Sequence, residues 1–144
     1  MLKNIIENDD FKNLSQRHIK DIIQYIIDTN TEFSVVANIE STSFNPDLPN
    51  DIKSNLNKFS LFTLAGYTFT TVRIEDDFLY FEAGFGKDNF GSVLKIPLYS
   101  ILQIIIDENI IYINLTATVD KFNNNLEKNS FNVFKNNPKN KKFN

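Results

Sequence analysis

The sequence predicts a mostly β domain, a small β-sandwich or open barrel with an N-terminal helix packed on it and a flexible C-terminal tail. Three observations point there. An apolar stripe at helical spacing stands near the N-terminus. Short alternating segments separated by polar turns fill the middle. An Asn- and Lys-rich stretch closes the chain. At 144 residues the chain suffices for one domain with a modest core. The reading divides it into an N-terminal arm (1–14), a folded domain (15–119) and a tail (120–144).

Leu2 to Phe11 carries mixed charge and reads as a short helical turn or a loose arm. Ser15 is placed as an N-cap, with Leu14 and Ile19 as its hydrophobic staple. Ile19, Ile22, Ile23, Ile26 and Ile27 then recur on one helical face, and Asp28-Thr29-Asn30 ends the helix. The stripe is β-branched throughout, so packing rather than propensity must hold it. Phe33 to Ile39 alternates as a strand. Glu40 to Lys58 is polar and holds Pro46 and Pro49, which forbids a central strand. It reads as a long loop with a turn of helix near Asp51 to Leu56. Phe59 to Leu64 is the second strand, Ala65-Gly66 breaks it, and Thr68 to Ile74 is the third. Glu75-Asp76-Asp77 is an acidic turn. Three acids on a hairpin tip are ordinarily solvated charges rather than a cation site or an acid/base pair.

The stretch from Phe78 to Pro97 organises the rest. Leu79, Phe81, Ala83 and Phe85 share one face of a strand, and Phe78, Tyr80, Glu82 and Gly84 share the other. A small residue between two Phe rings leaves a dent in which a peptide could lie. Gly84 and Gly86 let the backbone bend or let another chain approach. Lys87 to Gly91 is a polar loop, and Val93 to Ile96 is the return strand of a hairpin. Leu98, Ile101, Leu102, Ile105 and Ile106 recur at helical spacing and predict a short buried helix to about Asp107. By propensity I-L-Q-I-I-I is equally a strand. Ile110 to Leu115 is the final strand, with a continuation to Val119 as the alternative. From Phe122 the chain turns Asn-rich and basic, too poor in apolar residues to order itself.

Composition excludes several functions. The chain has no Cys, which removes disulfides, thiolate nucleophiles and Cys-ligated metals. Its single His, His18, precedes the helical stripe as a surface residue and rules out a His-rich metal site. A net charge of −3 and a pI near 5.1 argue against a general nucleic-acid binder. No nucleophile–base pair or phosphate loop is present, so no enzyme class and no cofactor is indicated. The first residues, M-L-K-N-I-I-E-N-D-D, hold no long apolar run and turn acidic, so no secretory signal is expected. No apolar run is long enough for a membrane helix, which makes the cytoplasm the expected location. Asn114-Leu115-Thr116 matches a glycosylation sequon that has no meaning in that setting.

The hairpin stretch resembles the stringent starvation protein B (SspB) family, specificity-enhancing adaptors of the ClpXP protease. That family carries V-x-F-x-A-R-F-G-G, a short loop, V-x-V-P-L and then A-I-Y-A-x-E-N-G. The residues that match are Leu79, Phe81, Ala83, Phe85 and Gly86, then Val93, Ile96, Pro97 and Leu98, then Ile104, Glu108 and Asn109. Upstream, F-S-L-F-T-L-A-G-Y-T-F-T-T-V-R-I is similar to the family's strand pair, with Leu64-Ala65 at its I-A-P position. Y-I-I-D and V-V-A-N-I look like the end of its first helix and its first strand. The likeness spans roughly Ser15 to Leu115. Gly84 stands in place of the family's Arg, Lys87 in place of its second Gly and Gly66 in place of its Pro. The tail is short and Asn-rich where the family's is long and acidic.

The resemblance implies an Sm-like β-sandwich whose N-terminal helix forms a homodimer, with Ile19, Ile22, Ile23 and Ile26 at the contact. It implies capture of ssrA-tagged polypeptides in an apolar groove. That groove would be formed by Val36, Asn38, Leu64, Ala65, Phe81, Ala83, Phe85, Gly86 and Val93, on the face carrying Phe81, Ala83 and Phe85. It implies delivery to the ClpX unfoldase through a motif in the tail, for which Phe131, Val133, Phe134 and Lys135 are the candidates. Phe143 competes for that role. Two further readings stay open: an Sm-like RNA-binding module, and an inhibitor fold with no peptide groove.

Overall fold

The computed structural model describes residues 1–123, so the tail candidates Phe131 to Lys135 and Phe143 lie outside the described residues. Two antiparallel four-stranded sheets and an N-terminal helix enclose one core. After a short helix α1 (Leu2–Ile6), α2 runs from Asp9 to Asp28. It begins earlier than its apolar stripe suggests. Asn8 is the N-cap, its side chain accepting from the Asp10 N–H at 2.7 Å, and Asp9 and Asp10 favour the positive end of the helix dipole. Ser15 is buried inside the helix rather than capping it, and Leu14 is exposed, so the staple does not form.

The first sheet has the order β3–β1–β7–β8, with β1 (Phe33–Asn38), β3 (Phe59–Leu64), β7 (Ile101–Ile106) and β8 (Asn109–Ile113). The second has the order β2–β6–β5–β4, with β2 (Ser43–Asn45), β4 (Arg73–Glu75), β5 (Phe78–Phe85) and β6 (Phe90–Pro97). The strand β2 arises in the segment expected to be loop. As a three-residue edge before Pro46 it tolerates the missing N–H donors nearby. The helical turn expected near Asp51 is α3 (Asn50–Lys53).

Two segments take a different secondary structure from the expected one. Gly66–Thr71 is a helix, α4, where the alternation of Thr68 to Ile74 predicts a strand. Gly66 turns the chain at φ +57°, a value open to glycine and closed to proline. Phe69 then meets Phe33 edge-on at 6.4 Å. The Thr70 and Thr71 hydroxyls donate to the carbonyls three residues back, so tertiary contact and local bonds override a β-like composition. Ile101–Ile106 is strand β7, where spacing predicts a helix. Its register shifts twice, between Val36 and Ala37 on β1 and between Ile104 and Ile105 toward β8. These irregularities set Ile101 and Ile104, three apart, both into the core, and a bulged strand thereby imitates a helical period.

The core joins both sheets and α2. Ile19 and Ile23 are fully buried and Ile26 nearly so, packed with Val35, Leu64, Leu79, Phe81 and Ile96 within the one chain. Ile22 is partly buried against the same cluster. The stripe expected to make a dimer contact is therefore largely interior, because the sheets alone leave one side of the core uncovered. A chain of rings crosses from one sheet to the other: Phe62 lies 5.8 Å from Phe81 and 6.5 Å from Phe85, and Phe85 lies 5.9 Å from Phe44.

The chain is ordered past the expected start of the tail. Buried asparagines fasten its end. Asn38 donates to the Ala117 carbonyl, Asn114 to those of Tyr99 and Ile101, and Asn123 to those of Thr116 and Val119. Asn123 lies in a last turn, α5 (Asp120–Asn123), and also accepts from the Ser41 hydroxyl. These side chains replace backbone partners in a stretch without strand pairing. Among the described residues, no helix is long and apolar enough to cross a membrane.

Ile23→Ala should cost about 2–5 kcal/mol of folding stability, read from denaturant unfolding, and Ile23→Asp should prevent folding. Sedimentation should show the association state of folded Ile23→Ala unchanged; dissociation into folded monomers would return the stripe to an interface.

Candidate functional site

The hairpin of β5 and β6 carries two hollows, one on each side of its tip. The first, a cleft of about 580 Å³, crosses the hairpin between α4 and the end of β2. Its floor is formed by cross-strand pairs, Glu82 opposite Val93, Ala83 opposite Ser92 and Gly84 opposite Gly91. Ala65, Tyr67 and Thr68 wall one side, and Asn45 and Pro46 wall the other. Small side chains on the floor keep it open. The second hollow, of about 790 Å³, lies toward α3 and is lined by Ile52, Leu56, Phe85, Gly86 and Phe90 among others.

The position of Gly84 has its own local cause. A Cβ there would overlap the side-chain oxygen of Asn89, whose backbone turns the hairpin at φ 52°. The Asn89 amide thus occupies the space beside the strand that a side chain at Gly84 would take. The edge of β5 beyond this point is open. β4 pairs with β5 only from Phe78 to Tyr80, and the Glu82 N–H is then met by the Thr71 hydroxyl at 2.9 Å. An extended chain can approach the remaining edge, from Ala83 to Phe85.

Of the residues expected to bind peptide, the structure brings Ala65, Ala83 and Val93 together in the first cleft. Phe85 and Gly86 line the second hollow instead. Leu64 and Phe81 are fully buried in the core and present no surface. Asn38 is buried too, both ends of its amide used internally, toward Ala117 and the Glu40 N–H. Val36 is on the outer face of the first sheet, between Leu61 and Gln103. The cleft does not run along Phe81 and Phe85, because Phe81 is buried and Phe85 packs against the core. It crosses the strand at Glu82, Ala83 and Gly84, taking residues of both faces, so Glu82, expected to point away, is part of it.

Tyr67 and Glu82 are the residues that sequence reasoning missed. Tyr67 falls between the expected break at Ala65-Gly66 and the strand expected from Thr68, and Glu82 is on the face read as the back. The Tyr67 hydroxyl donates to Glu82 Oε1 at 2.9 Å. This bond, and the Glu82 charge beside it, hold the Tyr67 pKa above its ordinary value. The bond is intact while the phenol keeps its proton and is lost as pH rises through the raised pKa. Among the described residues, no group of His, Cys, Asp and Glu is placed to hold a metal ion.

In Glu82→Gln the Tyr67 ionisation should move back down toward that of an ordinary tyrosine, followed by the pH dependence of its ring resonances in NMR. An unmoved titration would mean that the two side chains do not meet in solution. No family model matches the chain, and no curated protein matches it significantly, so a functional reading stands on this cleft and on the resemblance carried by the hairpin residues.

Proposed function

We propose that the chain is a non-enzymatic adaptor that holds an extended ssrA-type degradation tag in the first cleft and delivers the tagged polypeptide to the ClpXP protease. The observation that supports this reading is an open trough laid beside an unpaired strand edge. A peptide entering it can take main-chain hydrogen bonds from the free edge of β5 while small residues, Ala65, Ala83 and Gly91, leave space for its side chains. An SspB-like, Sm-like arrangement belongs to the same reading, and two antiparallel sheets around one core with an N-terminal helix are compatible with it.

The homodimer in this reading needs a surface other than the buried stripe of α2. Ile110, Ile111 and Ile113 on the edge strand β8 are exposed and are available to such a contact. The docking role stays with residues 131–135. A tag-binding cleft and a protease-binding segment on one chain raise the local concentration of cargo at the unfoldase, with no new contact between cargo and protease required.

Fluorescence anisotropy with a labelled ssrA-type peptide and with labelled single-stranded RNA separates this reading from an RNA-binding one. Peptide should bind and RNA should not; tight RNA binding with a steep salt slope would reverse the assignment. Ala83→Gln, which pushes a long polar side chain into the cleft, should abolish peptide binding. It should cost about 1–3 kcal/mol of stability at most, so melting curves accompany it. Val36→Gln, on the far sheet, should bind as the parent does.

Ending the chain after Asn123 keeps its fastening to Ser41 and Thr116. This truncated protein should bind peptide normally and fail to accelerate degradation of tagged cargo by ClpXP. Undiminished delivery would remove residues 131–135 from the docking role.

A further inference from the structure

We infer that the cleft selects an extended peptide bearing a lysine or arginine side chain, which the Glu82 carboxylate receives. The inference rests on the peptide-binding reading and assigns the substrate class of that site. Among the described residues, Glu82 is the one Asp or Glu that lines the cleft, and no Lys, Arg or His lines it. The Tyr67 hydroxyl is bound to Oε1, and no ion pair within 4.0 Å joins Glu82 to a cation among the described residues. Nearby cations are engaged elsewhere. Arg73 pairs with Glu75 at 2.6 Å and lies 4.8 Å from the Tyr80 ring centroid, and Lys95 stands 4.3 Å from that of Phe78. Glu82 therefore presents an acceptor whose charge no side chain among the described residues neutralises.

The surroundings suit a long cationic side chain better than a bare ammonium ion. Gly91, which pairs with Gly84 near the Glu82–Val93 pair, has open space where a Cβ would stand. The Asn89 amide covers Gly84, so an aliphatic stem can lie over Gly91 between Glu82 and that amide. Tyr67, 70% exposed, offers the ring against which a cation is stabilised on its way to the carboxylate. An acidic peptide residue would meet an uncompensated like charge at the same place. Apolar stem, aromatic wall and single carboxylate together match lysine or arginine, and the charge decides the sign of the preference.

The test is a positional scan of one labelled ssrA-type peptide in which each residue in turn is lysine, its uncharged isostere norleucine, or glutamate. At one position the lysine peptide should bind on the order of tenfold more tightly than the norleucine peptide, with glutamate weakest, and added salt should shrink the difference. Glu82→Gln should erase the lysine advantage, and Glu82→Lys should invert it in favour of glutamate. Circular dichroism of both variants establishes that they fold, and the salt dependence in the parent protein stands even if one does not. Peptides that bind without any lysine preference, or a preference that survives Glu82→Gln, would overturn the inference and leave the peptide-binding reading in place. Failure of every peptide to bind the parent protein would overturn both.

Discussion

The ring chain from Phe62 through Phe85 to Phe44 is the contact on which the hairpin end of the molecule depends. It ties the outermost strand of one sheet to the hairpin and edge of the other. Aromatic rings of this size fix both separation and orientation, since edge-to-face packing has a narrow optimum. The hairpin tip cannot tilt without separating those rings. Its two hollows, one toward α4 and one toward α3, are the spaces left on either side of a tip held in that way. The cleft is thus a by-product of how the sheets are clamped, with residues lining it that contribute little to the clamp.

Polar groups finish what the rings begin. The strand ladder ends at Ile113, yet the chain must still cross to reach Asn123. Asn38, Asn114 and Asn123 supply the missing partners for that crossing, each with its amide bonded to main-chain carbonyls. Buried amides of this kind are costly unless satisfied, and all three are. At the cleft the logic is reversed. Glu82 and Tyr67 satisfy each other in part and remain accessible to solvent.

Much of this was legible in the chain. The helical stripe, the strands at Phe33 and Phe59, the hairpin and the acidic turn all follow from periodicity and turn chemistry. What escaped has definite causes. Register shifts in β7 turn a period of two into a spacing of three between Ile101 and Ile104, and no local signal distinguishes that from a helix. The Thr-rich α4 is helical because Gly66 redirects the chain and Phe69 finds Phe33, a contact with a residue far away in sequence. Ser15 has the right chemistry for a cap, but Asn8 has the right position. At the site, Ala83 and Val93 could be named from the hairpin and Ala65 from the stretch upstream of it that resembles the same family, whereas Leu64, Phe81 and Asn38 are expected on the surface although the core takes them. Alternation along β5 tells two faces apart without telling which one is inside. That choice depended on α2 and the opposite sheet, and it moved Glu82 from the back of the hairpin to the floor of the cleft.

The sheet order also sets a sequence of events in time. β5 and β6 are neighbours in the chain and in space, so their hairpin can form as soon as both have been made. β1 is different: Val36 sits between Leu61 and Gln103, and its second partner is synthesised long after its first. Until β7 emerges, one edge of β1 is bare and the core that the apolar face of α2 joins lacks Ile101 and Ile104. Closing such distant pairs is slow, because loop entropy must be lost before the contacts form. A nascent chain of this topology therefore spends its longest exposed interval with the first sheet half built, and in that interval it depends on whatever shields unfinished strands in the cell.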